Sequence, residues 1–417
     1  MRARIHRGAT EVGGSCVELE HAGSRIVLDL GLPLDAAPDD PAALPAVDGL
    51  QSGDDPSLLG IVISHGHPDH FGLVPGASPS VPRFIGEAAH RILCEASFFS
   101  PAGADLEPTG FLHDREPLEL GPFRLTPFLV DHSAYDAYAL LVEAGGRRLL
   151  YSGDLRAHGR KSSTFERLIR ESEAVNVLLL EGTRVGDAST SGRGLASEKD
   201  VEDAAVDVFT RTAGMALAIY SAQNIDRVVS LYRAARRSDR LFVMDLYGAT
   251  IAAATNRATI PQASWDGVGV FVPLSQRIRI KRTRAFDRIA PIRSARLYPE
   301  DLGVIADRAV LSFRSSMANE LHRAGCLEGA SALWSLWPGY LDQPSGVELR
   351  AWLDENHIPL TAAHASGHST TADLRRLIDA KWPARIVPIH TRAPEAFHES
   401  FPGACIEPHQ DGEWWHV

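Results

Sequence analysis

Cysteine is scarce in this chain. Only Cys16, Cys94, Cys326 and Cys405 occur among 417 residues, and no two stand at a paired spacing. A disulfide framework is therefore not expected, and a reducing compartment is favoured. Long apolar runs are also lacking. The opening "MRARIHRGATEVGG" has no hydrophobic stretch of the kind a secretory signal needs. The most apolar runs, such as "VNVLLL", are far too short to span a bilayer. Positive charge is in deficit, with 42 Lys and Arg against 53 Asp and Glu and a net charge of −11. Such a balance does not attract polyanions globally, so any nucleic-acid contact must come from a local basic surface. Repeats and low-complexity tracts are absent. What remains is ordinary globular composition, 44% hydrophobic and 23% charged, with length for two or three domains. A cytoplasmic, enzyme-sized protein without membrane contact is expected.

The first half reads as strands broken by glycine turns, followed by strand and helix in alternation. "RARIHRG", "SCVELE", "RIVLDLG" and "LLGIVISH" predict strands, and "GEAAHRILCEASFF" predicts a helix. "FRLTPFLVDHS", "DAYALLVEAG", "RRLLYSGD" and "AVNVLLLEGT" predict further strands, with a helix over "STFERLIRESE". Residues 185–197, "VGDASTSGRGLAS", are small, polar and glycine-rich and predict a boundary. Beyond it a helix starts at Ser197 with Asp200 three positions on. Alternating strands and helices after that point predict a parallel sheet. The last such pair runs through "HIPLTAAHASGH", "STTADLRRLIDAKW" and "ARIVPIH".

The densest chemistry lies in "SHGHPDHFG", residues 64–72. His65, His67, Asp69 and His70 offer nitrogen and oxygen donors on a loop and helix start after a buried strand. Neutral imidazole and carboxylate suit zinc best among common ions. One tetrahedral site cannot easily use four side chains from so short a stretch, so the pattern fits half of each of two neighbouring sites. The bland alternative is a histidine-rich surface turn. His132, Asp154 and His390 each follow an apolar strand as well, where open α/β sheets place their chemistry. Singly each is weak; with the first cluster they form a set.

With these residues the chain resembles the metallo-β-lactamase superfamily. His65-x-His67-x-Asp69-His70 is similar to its signature, His132 and Asp154 follow in the usual order, and Asp29 in "LDLG" resembles the acidic residue that supports the site from behind. The resemblance implies an α/β fold, an αββα sandwich of two mixed sheets covered by helices. It implies that His65, His67 and His132 hold one Zn2+, that Asp69, His70 and a last histidine hold a second, and that Asp154 bridges. Mn2+ is the alternative metal. His390 lies 236 residues after Asp154, so a whole domain is expected between them. With "HASGHST" at 364–370, "YSAQNIDRVVSL", "SLWPGYL" and "EGT", this resembles the β-CASP branch, the nucleic-acid-processing group, and within it the ribonuclease J group. The implied domains are 1–195 and 346–417 for the core and 196–345 for the inserted α/β β-CASP domain. The implied function is hydrolysis of an RNA phosphodiester, internally or from the 5′ end, in a cleft between core and insertion. Asp69 would orient the attacking water, His368 would protonate the leaving oxygen, and His364 and Ser366 would bind a neighbouring phosphate. The bland reading of "HASGH" is a strand-to-helix turn with Ser369 as N-cap. The sequence departs from ribonuclease J at "HTR", where that group has His-Gly-Glu. The C-terminal domain that helps that group dimerise is also expected to be lacking, and a homodimer is one assembly left open.

"RIRIKRTRAFDRIAPIRSAR", residues 277–296, carries eight Lys or Arg against one Asp. Its alternation predicts an edge strand with one cationic face, suited to phosphates or simply to protecting the edge. Arg314 is a further candidate for phosphate contact. Asp245 is either an acidic site residue or the cap of the next helix. The tryptophans at 334–337 and 414–415 are read as packing. Alternative functions are hydrolysis of a small ester, lactone or thioester, DNA cleavage, and a non-catalytic RNA-binding subunit. The inserted domain and "HASGH" argue against the first, and the complete donor set argues against the last.

Overall fold

The computed structural model describes residues 1–36, 43–171, 174–186 and 194–417. The chain forms two compact units, one of residues 1–193 with 367–417, the other of residues 194–366. The boundary expected at 185–197 falls largely outside the described residues.

The first unit is built on two mixed sheets. One runs Trp414–His416, Arg2–Arg7, Cys16–His21, Ser24–Leu28, Leu58–Val62, Arg83–Gly86, Gly110–Leu112. The other runs Arg385–Ile389, Val177–Glu181, Arg147–Tyr151, Tyr138–Ala144, Phe123–Leu129, Leu118–Leu120. Their inner faces share one core: Ile5, Val17, Leu19 and Leu28 from the first meet Leu125, Leu140, Val142 and Leu179 from the second. Within Tyr138–Ala144 the alternate residues Ala139 and Leu141 turn the other way, into an outer core with Phe165 and Leu168 of helix Ser162–Arg170 and Leu374, Leu377 and Ile378 of helix Thr371–Lys381. The first sheet's outer face is covered by a third core that includes Ala89 and Leu93 of helix Glu87–Ser97. The layering is the expected αββα sandwich. Burial on both faces explains why these strands read as nearly unbroken apolar runs.

The second unit is a seven-stranded sheet, Arg296–Leu297, Val268–Phe271, Leu241–Asp245, Ala309–Ser312, Ala216–Ile219, Ser331–Trp334, Leu360–Ala362, in which every pairing is parallel. Helices alternate with its strands, as the second-half pattern predicts. Ser197 caps helix Glu198–Arg211 by accepting from the Asp200 N–H. Residues 346–366, expected with the core, group with this unit because Leu360–Ala362 pairs with Ser331–Trp334. Leu195 N–H donates to His364 O at 2.8 Å, so the unit's two ends lie side by side.

The basic segment is not a strand. Leu274–Thr283 is an α-helix and Phe286–Ala295 a 3₁₀ helix. Leu, Gln, Arg and Lys are strong helix formers, and Gln276 and Ile280, four apart, are its buried pair. A short two-residue alternation does not outweigh that. Asp245 caps helix Leu246–Ala254 by accepting from Gly248 N–H at 2.8 Å, and its other oxygen accepts from Gln276 at 2.8 Å and Arg314 at 2.5 Å. Arg314 therefore engages Asp245. Trp334 and Trp415 are core residues, whereas Trp337 is exposed. Trp414 lies beneath the Arg2 and Arg4 guanidinium groups.

Candidate metal centre

The candidate donors in the first unit all sit past the C-terminal ends of strands. His65 follows Leu58–Val62, His132 follows Phe123–Leu129, Asp154 follows Arg147–Tyr151, and His390 directly follows Arg385–Ile389. In the second sheet these strands run the same way, because Tyr138–Ala144 is antiparallel to both of its neighbours. In the signature, His67 is the extended N-cap of the short helix Pro68–Phe71, and Pro68 is pre-set for the first helical position. This turn places Asp69 and His70 beyond His65 and His67. A backbone ladder clamps the helix: Ser15 N–H donates to Asp69 O (3.0 Å), Leu30 N–H to His70 O (2.9 Å) and Leu32 N–H to Pro68 O (2.9 Å).

Two groups of donors converge there, His65 with His67, His132 and Asp154, and Asp69 with His70, Asp154 and His390. Asp154 belongs to both. Its Oδ2 lies 3.8 Å from His65 Nε2, 3.2 Å from His70 Nε2 and 3.9 Å from His132 Nε2, and its Oδ1 lies 3.3 Å from His390 Nδ1. Asp69 Oδ2 is 3.2 Å from His390 Nε2. Glu181, His368 and His390 converge as a third group.

The ring tautomers are set from behind. His132 Nδ1 donates to Gly367 O at 2.7 Å, and His70 Nδ1 donates to Asp29 at 2.8 Å, which turns both Nε2 atoms into the cluster. Asp29 also accepts from the Ser64 N–H and hydroxyl and from the Tyr151 hydroxyl, at 2.6–2.7 Å. It holds a left-handed backbone, φ 58°, as does His390 at φ 53°. Aspartate tolerates that region better than most residues. Asp131, beside His132, pairs with the fully buried Arg156 at 3.2 Å, and Arg156 N–H donates to Asp131 O at 2.7 Å, tying two donor loops together. Thr183 Oγ1 stands 3.0 Å from His390 Nδ1, a neighbour for His390 in a chain whose "HTR" departs from His-Gly-Glu.

Burial pushes His65, His67 and His132 below the usual histidine range, so they are neutral, the form that ligates a metal. At His70 burial also works downward, but Asp154 and Asp29 outweigh it and raise the group well above that range. Positive charge at its Nε2, from a proton or a metal ion, is therefore favoured. Asp69 and Asp154 stay ionised despite burial because the surrounding histidines hold them far below the carboxylate norm. His65 Nε2, His70 Nε2 and Asp154 Oδ1 are buried without a hydrogen-bond partner among the described residues. Buried polar atoms facing one another unpaired are costly unless a cation joins them. The donor set thus fits divalent metal.

Comparison with known proteins agrees with this geometry. Residues 33–228 match the family described as a beta-lactamase superfamily domain. That match covers a little under half of the chain and, with the αββα sandwich and the relatives below, supports a likeness to the metallo-β-lactamase superfamily. The chain resembles Ribonuclease J of Mycobacterium tuberculosis, at 23% identity over 94% of this chain and 68% of that one, and Ribonuclease J of Mycoplasma genitalium, at 22% over 92% and 66%. It thus spans about two thirds of the length of these relatives. A solved protein of unknown function from Enterococcus faecalis V583 shares the fold end to end, with a TM-score of 0.80, 20% identity and 99% of both chains covered.

Other expected site residues fall as follows. His368 lies in the unit of residues 1–193 and 367–417, with Nδ1 3.8 Å from Asp154, 3.7 Å from Glu181 and 3.1 Å from Thr183 Oγ1. Burial alone would lower it, but Asp154 and Glu181 raise it to about 9. His364 and Ser366 belong to the 194–366 unit. Ser369 is not the helix cap: Thr370 is, accepting from Asp373 N–H, while Ser369 N–H donates to Glu181 at 3.2 Å. Glu181 is buried and also accepts from Thr183 N–H at 2.9 Å. Beforehand it was marked only through the likeness of "EGT", with no role assigned; a further signal was an acidic residue closing the apolar strand "VLLLE". The four cysteines are free thiols, and no described helix is long and apolar enough to cross a membrane.

Proposed function

We propose that the protein is a metal-dependent phosphodiesterase of the ribonuclease J kind that hydrolyses RNA, with a β-CASP insertion at 194–366. The observation that carries this is the doubled donor set, with Asp154 in both groups and buried atoms left unpaired. His65, His67 and His132 would hold one ion and Asp69, His70 and His390 the other, with Asp154 available to both. When bound, two such ions, Zn2+ or Mn2+, polarise a phosphoryl oxygen and make water acidic near neutral pH. Asp69, ionised, would orient the attacking water, whose proton passes to solvent. His368, kept cationic by Asp154 and Glu181, carries protons on both nitrogens and gives the one on Nε2 to the leaving oxygen. Asp29 holds the His70 ring in place. His364 and Ser366 are assigned to a neighbouring phosphate. The insertion adds exposed Lys281, Arg282 and Arg284 beside exposed Ile278 and Phe286, a surface suited to phosphates without sequence readout. Cytoplasmic location is part of the same reading.

Elemental analysis joined to cleavage of labelled RNA tests this. At least two divalent ions per chain are expected, with chelator-sensitive cleavage of 5′-phosphorylated or 5′-triphosphorylated RNA. Asp154→Ala should lower the metal content and abolish cleavage. Metal content unchanged from the parent in that variant, or turnover of lactones, thioesters or DNA but not RNA, would overturn the assignment.

A further inference from the structure

Outside these groups, His90, Cys94 and Asp105 form a separate cluster. His90 and Cys94 lie one turn apart on helix Glu87–Ser97, on the same face, and Asp105 arrives from the loop that follows. Cys94 Sγ is 3.1 Å from His90 Nε2 and 3.6 Å from Asp105 Oδ1, and Nε2 and Oδ1 are 3.8 Å apart. Zinc bonds of about 2.3 Å to sulfur and about 2.0 Å to nitrogen or oxygen give tetrahedral edges of about 3.3–3.6 Å. The observed edges of 3.1, 3.6 and 3.8 Å lie within about 0.5 Å of one face of such a tetrahedron, a shift that small side-chain rotations can supply.

A nucleophilic cysteine triad is a poor fit. There the carboxylate orients the histidine through the nitrogen remote from sulfur. Here sulfur and carboxylate face the same Nε2. The thiol is also not activated: burial and Asp105 push it up to about 12. One thiol proton can serve only one of its two neighbours, whereas a cation serves all three.

We propose that His90, Cys94 and Asp105 form a further binding site for a thiophilic divalent ion of the zinc class, apart from the two-ion centre. On binding, the Cys94 S–H bond breaks, a metal–sulfur bond forms, and one proton leaves to solvent. The Asp105 side chain is 71% exposed, so water can take the fourth position.

The two-ion centre contains no sulfur, which makes the site separately visible. The chelator-stripped full chain should be titrated with Co2+ while near-ultraviolet absorbance is followed. A saturable thiolate-to-cobalt charge-transfer band with the amplitude of one cobalt–thiolate bond per chain is expected, unchanged in Cys405→Ser, absent in Cys94→Ser, and about tenfold weaker in affinity in His90→Ala. Zinc competition with a chromophoric chelator should show one equivalent fewer for Cys94→Ser than for the parent. Asp105→Asn, at an exposed position, repeats the test should Cys94→Ser fold poorly. No band in the parent, a band retained in Cys94→Ser, or affinity unmoved by both His90→Ala and Asp105→Asn would overturn the proposal.

Discussion

His368 shows how a neighbourhood assigns a role to a side chain. Both carboxylates near its Nδ1 belong to the site, and together they hold the ring protonated to about pH 9. A proton donor must be cationic, and bound cations beside Asp154 pull its value down, so turnover should decline on the alkaline side, at or below about pH 9. His368→Ala should keep both ions, lose about 10²–10⁴ in turnover, and lose that alkaline limb. A normal rate at neutral pH would remove the role. Gly31 is the opposite kind of residue, one whose missing side chain matters. A Cβ there would stand 1.8 Å from Asp69 O, on backbone that cannot swing aside. Gly31→Ala should displace the signature helix, cost about 2–3 kcal/mol in chemical denaturation and lower metal occupancy. Unchanged stability and metal content would show that the clamp yields freely. The seven donors were legible because each follows an apolar strand and is a ligand by residue type. Glu181 and Thr183 were legible only as a likeness, "EGT", since their role depends on residue 181 meeting 368 and 369 across the whole insertion.

Pairing of strands brings together charges that the sequence keeps far apart. Arg2–Arg7 and Ser24–Leu28 flank Cys16–His21, so Arg4, His6 and Arg25 all reach the fully buried Glu18 carboxylate, at 2.7, 2.8 and 2.6 Å. Burial alone would raise Glu18, but these donors lower it from 4.5 to about 2. A carboxylate depressed on folding adds stability that is complete above its unfolded value and disappears as pH falls through the folded one. Glu18→Gln should therefore destabilise the protein by about 3 kcal/mol at neutral pH, with the gap closing between about pH 4.5 and 2. A gap independent of pH over that range would show that packing, not charge, is responsible. The same reasoning explains the misread segment at 277–296. Its alternation suggested a strand, but a run of six residues cannot fix a period. The decisive contacts, Gln276 with Asp245 and Arg277 with Glu320, come from other elements and have no local signature.

The alternation of strands and helices after residue 197 was legible as a parallel sheet, whereas the end of the inserted unit was not. Leu360–Ala362 has the composition of either unit, and only its pairing with Ser331–Trp334 assigns it. The unit has its own core, including Leu217, Val243, Leu311 and Ala332, and its ends meet at Leu195 and His364. Both sheets of the sandwich, both donor groups, His368, Glu181 and Asp29 come from residues 1–193 and 367–417. Replacing residues 196–363 by a few glycines and serines therefore bridges a gap that the chain already closes, at a small loop-closure cost. The shortened chain should unfold cooperatively, bind the same number of ions as the parent and hydrolyse a small activated phosphodiester. It should need roughly tenfold or more RNA for half-maximal cleavage, because the phosphate contacts proposed for Lys281, Arg282 and Arg284 would be gone. Elemental analysis and steady-state kinetics on both substrates check this. Loss of metal binding would show that the donors depend on the insertion. An unchanged KM for RNA would show that the insertion does not hold the substrate.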